Sequence, residues 1–464
     1  MPHSSTPLLS SNGGRLPQSP PKTLFTKLLF TILLLTAAVA ISAAAAAVIF
    51  STAPSINLRR KSVAKKLNKP VVILISADGF RFGYQFKTPT PNIQRLILEG
   101  SEAELGLIPV FPTKTFPNHY SIATGLYPAR HGIVGDDGFT DPATGDKFKK
   151  DTVDPKWWLG EPIWETAAKN GLKALTYYWP GSEVPKGKWT CSDDDYCKKF
   201  AKAEKFDKRV EGVLKSFDNS NKADVPSLVA LYFEDPDSQG HKVGPDDRNI
   251  TAAISLIDQM VGKLIEGLKD REILDEVNII LVGDHGMVSN CVEKTVFLDD
   301  FSEWIEINSD WVETYFPVLG IRPKSTKLTP KNIVEQMNKA INSGKVKNGE
   351  YLKVYLKEDF PARLKYSGSD RIPPIVGLLD EGYKLEKNNK TMRHLCGGDH
   401  GYDNELFSMR SIFIARGPEI KEKEKVESFV NVEIYNFITK LLKIPAAEND
   451  GTAFLADRVL KRSR

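Results

Sequence analysis

Three short apolar runs that end in carboxylates constrain the fold of this chain more than any other feature. Uninterrupted apolar runs rich in β-branched residues are typical of parallel strands buried on both faces. Helical patterns separate them, as at Thr90–Glu99 and Thr251–Leu268, and this alternation predicts an α/β fold with a mostly parallel central sheet flanked by helices. Such sheets bind ligands where their strands end. The three runs are Val71–Ala77 before Asp78, Leu228–Phe233 before Glu234 and Asp237, and Val277–Val282 before Asp284.

The N-terminal region predicts a membrane anchor. Residues 28–50 contain nothing more polar than Thr31, Thr36 and Ser42, which is enough apolar helix to cross a bilayer. We interpret this segment as an uncleaved transmembrane signal anchor, preceded by a disordered tail over 1–27 and followed by a stalk over 51–69. A cleaved signal peptide is the alternative, because the run Ala43–Ala47 offers small residues to a peptidase.

Orientation depends on evidence of two kinds. The basic cluster after the anchor would favour a cytosolic C-terminal side, but it begins only at Arg59, whereas Lys27 lies beside the segment. The sequons at Asn249 and Asn389 favour the opposite side, so we expect a single-pass protein of the Golgi, plasma membrane or extracellular face, with the domain that follows the anchor luminal or extracellular. The net charge of +4 is dispersed, and no nucleic-acid polymer is expected as a partner.

Four cysteines form a close pair and a distant pair in polar contexts. Two disulfides are expected in an oxidising compartment, and four reduced thiols are the alternative. Zinc-finger spacing is absent, so these cysteines do not predict a structural metal. The pairs are Cys191 with Cys197 and Cys291 with Cys396.

Three of the seven histidines lie beside glycines and aspartates at strand ends: His241, His285 and His400. Imidazole and carboxylate ligands suit zinc better than the all-oxygen shell that magnesium or calcium prefers. A lone histidine near glycine is usually a turn or surface residue, and an aspartate at the end of a strand is often only a helix cap. Together with Asp78, the three histidines and their neighbouring aspartates predict a site for two metal ions.

The nucleophile candidate is Thr115, in the segment Pro112–Tyr120. Pro117 suits the first turn of a helix, so Thr115 is expected near a helix N-terminus, where backbone N–H groups attract phosphate. A metal ion would lower the pKa of the hydroxyl enough for attack. Without the neighbouring ligands, an N-capping threonine would be the default interpretation.

These motifs occur in the order found in one family, and the sequence resembles the nucleotide pyrophosphatase/phosphodiesterases of the alkaline phosphatase superfamily. The similarity extends over about residues 71–442 and implies an alkaline-phosphatase-like catalytic domain, which we place at 70–445, with an inserted lid at about 300–395 and a C-terminal tail at 446–464. The motifs are Asp78-Gly79-Phe80-Arg81, Lys114-Thr115-Phe116-Pro117-Asn118-His119, Pro236-Asp237-Ser238-Gln239-Gly240-His241, Gly283-Asp284-His285-Gly286 and His400-Gly401-Tyr402-Asp403-Asn404.

The resemblance also implies roles for individual residues. Two zinc ions are expected per subunit, and Thr115 would attack phosphorus to form a phosphothreonine. Asn118 would donate to a phosphoryl oxygen. An aromatic slot would hold a base, with Phe116 at the matching position and Trp179 as a second candidate. One zinc would be held by Asp237, His241 and His400, and the other by Asp78, Asp284, His285 and Thr115.

The expected reaction is hydrolysis of nucleotide pyrophosphate or phosphodiester bonds, in dinucleotides, nucleoside triphosphates or nucleotide sugars, with release of a nucleoside 5′-monophosphate. A phospholipid or choline-phosphate phosphodiesterase with the same zinc core is an alternative. A catalytically silent, membrane-anchored binding protein is another. The motifs do not distinguish the first two, and the sequence leaves the oligomeric state open.

Overall fold

A computed structural model describes residues 66–192, 196–324, 327–388 and 396–462. Four predicted features lie outside these ranges: the N-terminal tail at 1–27, the anchor at 28–50, the stalk as far as residue 65 and the sequon at Asn389. Within the described ranges, every helix is too short or too polar to cross a bilayer.

An eight-stranded mixed sheet forms the centre of the fold, in the order β16-β2-β15-β6-β1-β5-β3-β4. Its core is parallel, because β1 pairs in parallel with both β5 and β6, and β5 pairs in parallel with β3. β15 is antiparallel to β6 and to β2. The strands of this sheet are β1 (Val71–Ala77), β2 (Ser101–Ala103), β3 (Ala174–Tyr177), β4 (Cys197–Lys198), β5 (Leu228–Phe233), β6 (Val277–Val282), β15 (Phe413–Arg416) and β16 (Glu424–Val426).

The apolar composition of β1 follows from its central position. Successive side chains of a strand point to opposite faces. Val72 and Leu74 pack into one hydrophobic cluster, and Ile73 and Ile75 pack into another on the opposite face. Both faces of the sheet are therefore covered, so every position in the strand is apolar except Ser76.

Helices cover the sheet, and the two helices predicted from periodicity are confirmed within one or two residues, as α1 and α7. Pro91 begins α1, where its missing N–H costs nothing. The helices are α1 (Pro91–Leu98), α2 (Thr115–Thr124), α3 (Pro128–His131), α4 (Ile163–Lys169), α5 (Phe206–Ser216), α6 (Asp237–Val243), α7 (Ile250–Asp270), α8 (Pro330–Asn342), α9 (Glu433–Leu442) and α10 (Phe454–Val459).

Residues 300–395, the predicted insertion, contain a four-stranded antiparallel sheet in the order β11-β12-β10-β9, and helix α8 packs on β11. Its own hydrophobic cluster includes Leu319, Ile333 and Met337. Two short two-stranded ladders, β8 with β13 and β7 with β14, accompany it. The strands are β7 (Val288–Asn290), β8 (Thr295–Phe297), β9 (Val312–Thr314), β10 (Val318–Ile321), β11 (Leu352–Leu356), β12 (Ile375–Leu379), β13 (Lys384–Glu386) and β14 (Gly397–Asp399).

The C-terminal residues fold onto the domain, which differs from the tail expected at 446–464. Leu455, Ala456 and Val459 of α10 are buried in the cluster that covers one face of the central sheet. The carboxylate of Asp450 accepts hydrogen bonds from the Tyr127 N–H at 2.9 Å and from Arg130 at 2.6 Å. The folded unit therefore extends past residue 445 to the last described residues.

Both expected disulfides are present, Cys191–Cys197 and Cys291–Cys396. The second joins the end of β7 to the start of β14, next to the paired residues Asn290 and Gly397. It therefore fixes the segment that leads to His400.

Candidate dinuclear metal centre

The ends of the three central strands meet at one edge of the sheet. In the parallel register, Ala77 lies beside Phe233, and Ser76 lies beside Val282. The next residues along each strand therefore leave the sheet together. This places Asp78 and Asp284 in the same small volume, where both are buried.

The remaining candidate ligands come from a short helix and a ladder at the same edge. His241 lies on α6, one helical turn after Asp237, so both side chains point the same way. His400 follows β14, which is antiparallel to β7. The imidazole of His400 stacks on that of His285 with ring centroids 3.5 Å apart.

The distances between potential ligand atoms define two adjoining groups. Among the described residues, Asp78, Asp284 and His285 form the first group, and their ligand atoms lie within 4.8 Å of one another. Asp237, His241 and His400 form the second group. His285 links the two groups, because it also belongs to a set with Asp237 and His400. In the second group, Nε2 of His400 lies 3.2 Å from Nε2 of His241 and 3.4 Å from Oδ1 of Asp237. Nε2 of His241 lies 3.4 Å from Oδ2 of Asp237. All six residues expected to bind metal through side-chain oxygen or imidazole nitrogen, other than Thr115, are thus brought together.

Each of the three imidazoles has its Nδ1 beside a backbone carbonyl oxygen. The distances are 2.9 Å from His241 to Gly398, 2.9 Å from His285 to Gly286 and 2.8 Å from His400 to Thr113. A carbonyl oxygen only accepts, so Nδ1 carries the proton and donates it, and in the neutral ring Nε2 keeps its lone pair. Two Nε2 lone pairs that face each other at 3.2 Å repel unless a cation lies between them. Metal-binding histidines have this arrangement.

Three buried carboxylate oxygens in the site accept no hydrogen bond: Oδ1 of Asp78, Oδ1 of Asp237 and Oδ2 of Asp284. Buried polar atoms are nearly always hydrogen-bonded, so three orphans in one cluster require an explanation. A cation would satisfy all three. The nitrogen and oxygen donors also fit the preferences of zinc.

The electrostatics of the side chains also favour a cation. Burial raises the pKa of Asp78, and the nearby Asp284 carboxylate raises it further. Burial and the Asp78 charge raise the pKa of Asp237 well above its usual range. Burial, with the neighbouring His285, lowers the pKa of His400 well below its usual range. His285 behaves differently: burial would lower its pKa, but the carboxylates of Asp284 and Asp78 outweigh burial and raise it well above its usual range. The carboxylates therefore stabilise positive charge in the cluster, which a metal ion would supply.

Thr115 is the first residue of α2, and its Oγ1 lies 3.3 Å from Nε2 of His285. The hydroxyl therefore faces the group formed by Asp78, Asp284 and His285. The helix N-terminus places backbone N–H groups and positive dipole next to it. Thr115 is partly buried, so a substrate can reach it from solvent.

Two charged side chains flank Thr115. Asp136 accepts a 2.9 Å hydrogen bond from the Phe116 N–H, and its other oxygen lies 3.4 Å from Nζ of Lys114. Burial raises the pKa of Asp399, and the charges of His241 and Lys114 offset part of that rise. A cation thus lies beside the nucleophile.

Asn118 does not face the site, which contradicts the expectation that it binds a phosphoryl oxygen. Its side chain is fully buried. Its Nδ2 donates to the carbonyl oxygens of Lys114 at 2.8 Å and Pro112 at 3.1 Å, and its Oδ1 accepts from the Val110 N–H and from Asn431. The amide therefore holds the loop that precedes α2 in place.

The two aromatic candidates differ in position. Phe116 is partly exposed and packs on Phe148 and Trp158, so part of its ring is accessible from solvent. Trp179 is only 1% exposed, and its Nε1 donates to the carbonyl oxygen of His119 at 3.1 Å. Trp179 is therefore buried against α2, and its ring is not available to stack on a substrate base.

Sequence reasoning assigned no role to three residues that touch the site. Tyr232 donates its hydroxyl to Asp78, and His119 lies between Ser76 and the backbone of Thr115. Asp399 joins His241 and His400 in a further set of potential ligands. The signals in the sequence are a tyrosine, the one residue with a polar group in an otherwise apolar strand, and a histidine inside the nucleophile motif.

Comparison with known proteins identifies the family. Residues 72–403 match the profile described as type I phosphodiesterase / nucleotide pyrophosphatase. The chain belongs to this family. It is 39% identical over 402 residues to a venom phosphodiesterase of Crotalus durissus collilineatus, covering 84% of this chain and 46% of the relative. It is 38% identical over 400 residues to ectonucleotide pyrophosphatase/phosphodiesterase family member 3 of Bos taurus, covering 84% and 44%.

Solved structures give the same result for the fold. Murine ectonucleotide pyrophosphatase/phosphodiesterase 5 superposes with a TM-score of 0.76 at 31% identity, covering 85% of this chain and 100% of that one. An inactive threonine-to-alanine variant of the murine protein, in complex with AMP, gives a TM-score of 0.75 at 31% identity, covering 84% and 100%. The chain spans about half the length of the curated relatives it matches.

Proposed function

We propose that this family member hydrolyses nucleotide pyrophosphate and phosphodiester bonds by a zinc-dependent mechanism, with Thr115 as nucleophile. The observation that carries the proposal is the position of the Thr115 hydroxyl, at a helix N-terminus and 3.3 Å from an imidazole of the ligand cluster. The named activities of the relatives and the AMP complex of the murine structure support nucleotides as substrates.

Two zinc ions fit the donor set. Asp237, His241 and His400 would hold one, and Asp78, Asp284, His285 and the Thr115 oxygen would hold the other. Bound there, zinc would supply Lewis-acid stabilisation of negative charge and lower the pKa of a coordinated hydroxyl.

The residues of the chain define the two steps of the reaction. Thr115 Oγ loses its proton to solvent and forms a bond to phosphorus as the bond to the leaving oxygen breaks, which gives a phosphothreonine that still carries the nucleoside, and the first product. Water then gives up a proton and forms a bond to phosphorus, the bond to Thr115 breaks, the threonine oxygen takes up a proton, and the nucleoside 5′-monophosphate leaves. Lys114 contributes a positive charge beside the reacting phosphate, and Phe116 offers the accessible part of its ring to the base.

Asn118 has no role in substrate binding in this proposal, because its amide is fully occupied within the loop. The proposed location is the luminal or extracellular side of the secretory pathway, supported by two disulfides and by the names of the venom and ectoenzyme relatives. Single-pass anchoring through residues 28–50 remains part of the proposal. Membrane fractionation of the full chain, with residues 28–50 deleted as the control, tests it.

Product release from a substrate panel tests the function. Purified protein is assayed with ATP, a dinucleotide, a nucleotide sugar and lysophosphatidylcholine, before and after chelation and after zinc is restored. We expect nucleoside monophosphate from the first three, loss on chelation and recovery with zinc. Cleavage of the lipid alone would replace the substrate class, and an inert zinc-loaded protein would favour the silent-binding alternative.

A further inference from the structure

A buried tyrosine contacts the candidate metal centre from the strand below it. Tyr232 lies on β5, one residue before the strand ends, and is 7% exposed. Its hydroxyl donates to Oδ2 of Asp78 at 2.5 Å. A carboxylate oxygen only accepts, so the hydroxyl of Tyr232 is the donor of this pair.

The two oxygens of Asp78 have different surroundings. Oδ2 accepts the hydroxyl of Tyr232. Oδ1 accepts no hydrogen bond and lies 3.3 Å from Nε2 of His285, on the side of the other ligands. The hydroxyl thus occupies one oxygen and leaves the other free.

We propose that Tyr232 is a positioning residue that makes Asp78 a one-oxygen ligand of its metal ion. The inference rests on the metal centre of the proposed function. Tyr232 touches neither substrate nor the reacting atoms, and it acts by orienting the carboxylate plane and by keeping Oδ2 from competing for the cation. Hydrogen bonds to ligating carboxylates commonly have this effect.

Asp284 follows the same rule with a different donor. Its Oδ1 accepts the Gly79 N–H at 2.9 Å, and its Oδ2 accepts no hydrogen bond and points into the cluster. Each carboxylate of this group therefore presents a single free oxygen. For Asp284 the donor is a backbone N–H, which a change of side chain other than to proline leaves in place, and for Asp78 it is a side chain.

His119 contacts both the phenol ring of Tyr232 and the backbone of the nucleophile candidate Thr115. His119 meets the Tyr232 ring edge to face, with centroids 5.1 Å apart and planes at 85°. Nδ1 of His119 lies 2.8 Å from the carbonyl oxygen of Thr115, and its Nε2 lies 2.8 Å from Oγ of Ser76. Ser76 in turn lies beside Tyr232 in the strand register. Asp78 and Thr115 are thus positioned by one packed unit.

The test is Tyr232→Phe, which removes one oxygen atom and keeps the ring. The matched control is Tyr120→Phe, because Tyr120 is also buried and its hydroxyl has no hydrogen-bond partner among the described residues. Zinc affinity is measured by competition with a chromophoric chelator. Loss of an outer-shell partner typically weakens binding about 10–100-fold, so we expect that loss at one of the two sites in Tyr232→Phe and less than about a twofold change in Tyr120→Phe.

A spectroscopic measurement separates positioning from general destabilisation. With Co²⁺ in place of zinc, Tyr232→Phe should give weaker visible bands, because Asp78 can then bind through both oxygens and raise the coordination number. The metal-free melting temperature reports any loss of fold separately. Unchanged zinc affinity and an unchanged Co²⁺ spectrum in Tyr232→Phe would overturn the inference while leaving the proposed function intact. A parent protein that binds neither ion would overturn both.

Discussion

Removing the Cys291–Cys396 disulfide should destabilise the protein more than removing the Cys191–Cys197 disulfide. The first bond joins residues separated by 105 positions, and the second joins residues separated by 6. In the chain-entropy treatment, loops of these lengths correspond to about 4.7 and about 2.2 kcal/mol at 25 °C. The expected difference in the free energy of unfolding is therefore about 2.5 kcal/mol.

The position of the bond adds a functional consequence. Cys396 directly precedes β14, which leads to His400. The Gly398 carbonyl of β14 accepts a hydrogen bond from Nδ1 of His241. Releasing the start of β14 loosens two of the three expected imidazole ligands. We therefore expect weaker zinc binding only when the long-range bond is removed.

The assay compares two double variants, Cys291→Ala with Cys396→Ala, and Cys191→Ala with Cys197→Ala. Alanine avoids placing a hydroxyl at Cys197, which is 1% exposed. Urea unfolding of the metal-free proteins gives the free energies, and chelator competition gives the zinc affinities. Equal destabilisation by the two variants, or unchanged zinc affinity without the long-range bond, would refute the reasoning.

Three further predictions concern single side chains. Thr115→Ala should lower kcat by roughly 10³-fold or more and Thr115→Ser should recover part of it, as followed by nucleoside monophosphate release; a Thr115→Ala enzyme within tenfold of the parent would exclude Thr115 as nucleophile. Phe116→Leu should raise the KM for nucleotides about 5–30-fold, which corresponds to about 1–2 kcal/mol of lost stacking, and steady-state kinetics measure it. Trp179→Phe should leave KM unchanged and cost about 1 kcal/mol of stability, read from urea unfolding. Burial lowers the pKa of His131 to about 3, so the unfolded chain, with the usual value near 6.5, binds a proton before the folded protein does. The contribution of neutral His131 to the free energy of unfolding is full above about pH 6.5 and declines by about 1.4 kcal/mol per pH unit between that pH and about pH 3. His131→Gln should flatten that part of the curve of unfolding free energy against pH. An unchanged slope would contradict the assignment.

The sequence alone predicted the α/β class, the parallel core and the residues that the fold gathers into the candidate metal centre. Runs such as Val71–Ala77 are apolar at nearly every position because the strand is buried on both faces, so they can be recognised without contacts. Carboxylates directly after such runs must lie at the carboxyl edge of the sheet, which brings Asp78 and Asp284 together. The disulfide pairs followed from spacing and context.

The tertiary structure decided which of the neighbouring side chains face the candidate metal centre. Asn118 and Thr115 are three positions apart in one motif, yet the first turn of α2 directs the amide into the core and the hydroxyl toward the cluster. The sequence makes Trp179 a candidate for binding a base, but the fold buries its ring against α2. A linear motif fixes the order of residues but not the direction of each side chain.

Partners from distant parts of the chain were likewise beyond the sequence. The hydroxyl of Tyr232 reaches Asp78 across 154 positions, and the carboxylate of Asp136 reaches the Phe116 N–H across 20. Such contacts depend on strand register and on the path of loops, which no local pattern encodes. The candidate ligands can therefore be recognised in the sequence, because metal binding requires particular residue types, whereas the fold decides which hydrogen-bond donors contact them.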